Sequence, residues 1–384
     1  MQSISGVERE LIMTQYLSLN ETELKQQSAY WTAKEISQQP SSWRNTAKLV
    51  DNNRAEINDF LVPILAFKNL KIVLTGAGTS AYVGEVLAPH LTAKTDLNVC
   101  AVSTTDIVSN PHGFLQKSTP TLLISYARSG NSPESVAAVD IVEQVVEKCY
   151  HLVITCNENG ELAKRAAAKK NSFSVLMPKE TLDESFAMTS SFTSMLLSTL
   201  CIFTPDVNQL AQVATQTEHL LDTQFEEIKD FAQTDIERLV FLGAGSLLGY
   251  AKEAALKCLE LTNGDLISYF ETPLGFRHGP KTIINDKTAV LLMASSDAYS
   301  SSYDTDLFNE LLNDQQCLAV KKLALNTELV ELDDVWQGLY YIVYCQIFAF
   351  YKSMSLGLTP DNPCPTGEVN RVVKGVTIYP LTFR

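Results

Sequence analysis

Two segments of this chain share one pattern: Lys71-Ile72-Val73-Leu74-Thr75-Gly76-Ala77-Gly78-Thr79 and Arg238-Leu239-Val240-Phe241-Leu242-Gly243-Ala244-Gly245-Ser246. Each reads as a buried strand, a tight Gly-Ala-Gly turn, a hydroxyl residue and the start of a helix. A strand that feeds a helix in this way belongs to a parallel sheet, and its repetition predicts two similar subdomains in tandem. The turn has a second consequence. Glycine lets the backbone come close to a ligand, and the free N–H groups of the first helical turn point outward, so the loop forms a mouth for an anion.

The rest of the chain alternates to match. Strands are expected near Val99–Val102, Thr121–Ile124, His151–Thr155 and Phe173–Leu176, with helices through Val83, Leu87 and Leu91 and through Val136, Val139 and Val142. The second unit continues with a helix from Ala251 to Thr262, strands at Ala289–Ala294 and Leu318–Leu323, and a helix from Val335 to about Lys352. Continuous apolar strands fit a sheet covered on both faces. The expected class is α/β: tandem doubly wound parallel sheets in three αβα layers. We place a helical N-terminal arm at 1–45, the first subdomain at 46–206, a linking helix at 207–232, the second subdomain at 233–357 and an irregular tail at 358–384. A helix from Trp43 to Leu61 should end at Pro63, and Thr104-Thr105-Asp106 reads as a loop.

Composition narrows the function. A formal charge of −14 repels nucleic acid and anionic membrane surfaces. An anionic substrate therefore needs a local site of amides, hydroxyls and a few cations. Phe186–Phe203 is uncharged but interrupted by Ser and Thr, which favours a buried helix over a membrane span. The polar, acidic N-terminus lacks the layout of a signal peptide, so a cytoplasmic protein is expected. Eight scattered cysteines without a Cys-x-x-Cys pair read as reduced core residues, and five dispersed histidines give no metal-ligand spacing.

The first Gly-x-Gly turn could hold a dinucleotide, since Ala81 is tolerated at the sixth position of that fingerprint. The next strand, however, ends at Ala101-Val102-Ser103 with no carboxylate for a ribose, and Asp106 lies beyond it. No Gly-Lys-Ser/Thr follows, which removes the nucleoside-triphosphate reading. A second loop, Arg128-Ser129-Gly130-Asn131-Ser132-Pro133-Glu134, also follows a strand and precedes a helix, with Ser132 as the expected N-cap and Pro133 in the first turn. Two hydroxyl-lined mouths at the carboxyl ends of parallel strands suit one phosphate.

These motifs resemble the SIS (sugar isomerase) family, which includes the isomerase half of glucosamine-6-phosphate synthase. Thr104-Thr105-Asp106, Ser129-Gly130-Asn131-Ser132-Pro133-Glu134-Ser135, Phe276-Arg277-His278-Gly279-Pro280-Lys281 and Asn370-Arg371-Val372-Val373-Lys374-Gly375 are similar to the AgaS subfamily, associated with galactosamine-6-phosphate and tagatose-6-phosphate. The resemblance runs from about residue 30 to the end. It implies that Gly78, Thr79, Ser80, Ser129 and Ser132 hold the sugar phosphate, with Arg128 a further candidate. The synthase has Ser-Gln where this chain has Ala127-Arg128, so a hydroxyl is lost and a cation gained.

The resemblance also implies catalytic roles. Glu260 falls at the enolisation base, and Lys257, one helical turn earlier on the same face, could stabilise an oxyanion or the ionised base. His278, in a turn-rich segment, would help open the sugar ring from a neighbouring subunit in a homodimer or larger oligomer, and Lys374 would reach the site from the tail. No metal or other cofactor is implied. The synthase feeds its isomerase from a glutaminase that starts at a nucleophilic cysteine. Here the sequence starts Met1-Gln2-Ser3 and the first cysteine is Cys100, so a deaminating direction is expected. The expectation is a hexosamine-6-phosphate deaminase/isomerase acting on galactosamine-6-phosphate. The alternatives are a tagatose-6-phosphate aldose–ketose isomerase and a non-catalytic sugar-phosphate sensor. The sensor reading is disfavoured by the charge and by the presence of Glu260, His278 and Lys374.

Overall fold

The computed structural model describes residues 15–325, 332–373 and 375–382. Two parallel sheets carry the α/β architecture. The first has five strands in the order Asn98–Ala101, Lys71–Thr75, Thr121–Ala127, Cys149–Thr155, Ser172–Leu176, every pair parallel. The second has four, in the order Ala319–Leu323, Thr288–Met293, Arg238–Leu242, Ile267–Glu271, also all parallel. In both sheets the chain starts inside, steps to one side and then crosses to the other. The strand carrying the Gly-Ala-Gly turn thus lies at the reversal of strand order, where open α/β sheets bind ligands. Thr121–Ala127 and Thr288–Met293 are buried along their whole length, as apolar central strands require.

The repeat extends to backbone geometry. Gly78 has φ 56° and ψ −130°, and Gly245 has φ 55° and ψ −125°, conformations that favour glycine. The helices they start, Thr79–Lys94 and Ser246–Leu261, pack against each other. At their crossing a Cβ on Gly249 would lie 2.6 Å from the Val86 backbone nitrogen. Glycine there allows the close approach. Asp334–Ser355 also packs along Ser246–Leu261 and is buried over most of its length.

Several expectations need correction. The N-terminal region opens, within the described residues, with a two-strand hairpin at Gln15–Tyr16 and Leu19–Asn20, followed by helices Glu21–Gln26, Tyr30–Ser37, Gln39–Asn52 and Arg54–Leu65. The boundary drawn at 45/46 cuts the Gln39–Asn52 helix. Its Trp43 is fully buried and donates from Nε1 to Thr193 Oγ1 at 2.9 Å, so this region shares the main core. The Trp43–Leu61 helix is broken at Asn53, and Pro63 does not end it. Pro63 lies in the last turn, where the one acceptor it leaves unbonded, the Asp59 carbonyl, belongs to an exposed residue.

Thr104–Ser109 is a helix, not a loop, capped by the Ser103 hydroxyl accepting from the Asp106 N–H at 3.0 Å. Ser190–Phe203 starts later than Phe186 and is a buried core helix. No described helix is long and apolar enough to cross a membrane. The linking segment runs as Val207–His219 and Phe225–Ala232 with a π-helical turn between them. Strand Ile267–Glu271 and helix Ala298–Asp314 add to the expected elements; one is a half-exposed edge and the other is rich in Ser, Asp and Asn. The described tail residues 358–373 and 375–382 contain no helix or strand.

Candidate active site

The first mouth is built by the turn at Gly76-Ala77-Gly78, which aims Thr79 and Ser80 into the helix start, both nearly buried. The second begins where Thr121–Ala127 ends. Asn157 Nδ2 donates to the Ser129 carbonyl at 2.9 Å, and Asn131 Oδ1 accepts from the Glu161 N–H at 2.9 Å, which fixes the loop against its neighbour. Ser132 stands at the N-cap with extended backbone, but its hydroxyl does not cap the helix. It donates to Ser135 Oγ at 2.6 Å instead.

These loops face one cavity of about 230 Å³. Gly78, Thr79, Ser80, Arg128, Ser129, Ser132 and Glu260 all line it. So do Ser135, Phe186, Met188 and the tail segment 369–373. The structure thus brings together the two loops after strands Lys71–Thr75 and Thr121–Ala127 with the end of the helix from the second unit.

Lys257 sits just behind this wall, with no exposed surface. Its Nζ donates to Thr79 Oγ1 at 3.0 Å, pairs with the Glu260 carboxylate and lies 3.5 Å from Glu253 Oε1. The close Gly249–Val86 crossing makes the Thr79 contact possible. Glu253, Lys257 and Glu260 are spaced i, i+4 and i+7 on one helical face. Burial pulls the Lys257 ammonium towards its neutral form, but the Glu253 and Glu260 carboxylates outweigh it and hold its pKa above the ordinary value. Burial pushes the Glu253 carboxyl up to about 8, against the pull of Lys257. Sequence reasoning missed Glu253, although its spacing from Lys257 was legible.

Arg128 lines the cavity, yet its hydrogen bonds run to backbone. Nη1 donates to the carbonyls of Ser185 at 3.3 Å and Phe186 at 3.1 Å, and Nη2 donates to the carbonyl of Arg371 at 2.7 Å. Nothing in this arrangement directs those donors to a phosphate between the two loops. His278 is exposed on the segment between Pro273–Phe276 and Pro280–Ile283 and does not line the cavity. Lys374 lies outside the described residues.

Taken together, the site is a carboxylate held beside a buried ammonium, facing a cradle of hydroxyls and amides at a sheet's switch point. Residues 64–205 match the SIS domain family. Over 372 residues the chain is 53% identical to the D-galactosamine-6-phosphate deaminase AgaS of Shewanella sp. strain ANA-3, covering 95% of this chain and 96% of that one. It is 44% identical to the D-galactosamine-6-phosphate deaminase AgaS of Escherichia coli, over 91% of this chain and 96% of the other. The crystal structure of tagatose-6-phosphate ketose/aldose isomerase from Escherichia coli superposes with a TM-score of 0.85 at 42% identity, covering 91% of this chain and 96% of that chain. Glucosamine-6-phosphate deaminase from Thermotoga maritima, at 20% identity and a TM-score of 0.69 over 89% of this chain and 99% of that one, shares the fold. The chain belongs to the AgaS family of SIS-domain proteins.

Proposed function

We propose that this chain is an enzyme that converts D-galactosamine-6-phosphate and water to D-tagatose-6-phosphate and ammonia. The observation that carries the reading is the Glu260 carboxylate, held by Lys257, in the same cavity wall as the two hydroxyl loops. Near-full-length identity to the AgaS deaminases supports the substrate.

In this reading Thr79, Ser80, Ser129, Ser132 and the amides around Gly78 hold the phosphate. Ring opening gives an aldehyde at C1 beside the amine at C2. Glu260 takes the C2 proton, forming an enolamine, and returns it to C1. The resulting C2 imine is hydrolysed to the ketose phosphate with release of ammonia. Lys257 pairs with the Glu260 carboxylate and orients it. A positioned acid–base group of this kind contributes on the order of 10²–10⁴ in rate. His278 acts on the ring oxygen from a neighbouring subunit, Lys374 approaches from the tail, and the enzyme works in the cytoplasm.

The test is an ammonia-release assay with galactosamine-6-phosphate, glucosamine-6-phosphate and their N-acetylated forms side by side, with ketose phosphate measured in parallel. Ammonia and tagatose-6-phosphate formed together from the galacto compound are expected. Similarity to the tagatose-6-phosphate ketose/aldose isomerase of Escherichia coli favours one second reading, isomerisation of tagatose-6-phosphate by the same base without loss of nitrogen. Interconversion of tagatose-6-phosphate with its aldose, and no ammonia from any hexosamine phosphate, would establish that reading instead.

A further inference from the structure

The Arg128 side chain is 6% exposed, so its charge has been taken out of water, and a buried cation must be compensated. Its hydrogen bonds go to three carbonyls on two segments that never meet in sequence: the loop through Ser185 and Phe186, and the tail at Arg371. Both segments line the cavity through Phe186, Met188 and 369–373.

The partners of Arg128 are themselves held. Arg371 reaches back to the Asp183 carbonyl, and its other guanidinium nitrogen lies 3.8 Å from Glu184. The Asp183 carboxylate accepts from the N–H groups of Thr189 and Ser191, each at 2.9 Å, and folds the loop around itself. Glu35, from the Tyr30–Ser37 helix, accepts from the N–H groups of Glu184 and Ser185 at 2.5 and 3.2 Å. The Phe186 N–H donates to the carbonyl of Asp361, whose carboxylate in turn takes the Trp31 and Thr32 N–H groups at the start of that helix. The loop is therefore fixed to the body from behind. Among the described residues, the stretch 369–373 of the tail hydrogen-bonds to this loop region through Arg128 and Arg371.

We propose that Arg128 is a positioning residue: it clasps the tail at Arg371 to the 185–186 loop and so builds the wall of the cavity opposite the phosphate loops, rather than binding the phosphate itself. The planar guanidinium suits this task, since it can donate to carbonyls in different directions at once, which a lysine ammonium on a flexible stem does poorly. The catalytic consequence rests on the deaminase reading above, in which the tail covers the sugar while the phosphate sits between 78–80 and 129–132. The clasp itself does not.

The test compares wild type with Arg128→Gln and Arg128→Lys. Hydrogen exchange of segment 369–373 in the ligand-free protein reads the clasp without reference to any reaction. Faster exchange there is expected in both variants, with exchange at 76–82 unchanged. With galactosamine-6-phosphate, kcat/KM should fall about tenfold to a hundredfold, as for lost hydrogen bonds to a charged group. Competitive inhibition by inorganic phosphate alone should stay within about twofold, because the hydroxyl loops are untouched. Unchanged exchange of the tail together with inhibition by inorganic phosphate weakened as strongly as sugar-phosphate turnover would overturn the proposal and make Arg128 a phosphate ligand. If the wild-type protein turns over none of the sugar phosphates, the deaminase reading fails, and the exchange measurement still decides the clasp.

Discussion

Thr79 shows how one side chain serves two tasks here. It lines the cavity, and its hydroxyl also accepts from Lys257 Nζ at 3.0 Å, which ties the first unit's loop to the Ser246–Leu261 helix of the second unit. Such residues were legible because glycine, serine and threonine at a strand end carry local instructions for a turn and an anion mouth. Arg128 was not, because residue type suggests a phosphate contact while the donors depend on where the chain later brings Ser185, Phe186 and Arg371. Glu35 was hidden for the same reason. It is 3% exposed beside Asp183, and burial first, then the Asp183 charge, pushes its carboxyl up to about 8 despite donors from Glu184 and Ser185. The folded protein therefore keeps a proton that the unfolded chain releases near pH 4.5. Through Glu35, stability is full below that pH and declines as pH rises to about 8, with Glu253 adding in the same direction. Glu35→Gln should flatten this decline. Melting temperatures at pH 5 and pH 8 should lie closer together in the variant than in wild type, and an equal gap would show that Glu35 is ionised in the fold.

Among the elements, the helices Thr79–Lys94 and Ser246–Leu261 do most to create the site, since their crossing sets Lys257 against Thr79. The repeat that encodes both helices was visible in the sequence, as were most of the strands with continuous apolar character. Their mutual packing was not, because Gly249 looks like any helical glycine until Val86 is found against it. Gly249→Val places carbon where the Val86 backbone stands. We expect a loss of about 1–3 kcal/mol in stability from overpacking. Turnover per folded molecule should fall as well, because the helices must separate and draw Lys257 from Thr79. Thermal melting together with kcat corrected for the folded fraction checks this, and a variant that melts lower with unchanged kcat would detach the crossing from catalysis. The short edge strand Ile267–Glu271 and the Ser- and Asp-rich helix Ala298–Asp314 evaded reading because neither carries a strong apolar period.

At the scale of the whole molecule, one core runs from the N-terminal helices through both sheets to Asp334–Ser355, so the two units are not independent bodies. That sharing joins residues far apart in sequence into one cavity wall: 78–80, 128, 129, 132, 260 and 369–373. His278 is the exception, exposed and away from the cavity. A subunit-mixing experiment addresses its proposed role. Glu260→Gln and His278→Gln proteins, each inactive alone, should recover ammonia release when mixed and allowed to exchange subunits, since hybrids contain one site with both native residues. Continued inactivity of demonstrated hybrids would place His278 outside the partner's site. The central claim, deamination by proton transfer at Glu260, is tested most directly by ammonia release from galactosamine-6-phosphate in Glu260→Gln, compared with wild type at matched folded concentration. The expected result is one ammonia per tagatose-6-phosphate in wild type, and a rate lower by about 10²–10⁴ in the variant with its melting temperature preserved. Near wild-type ammonia release by Glu260→Gln would contradict the account.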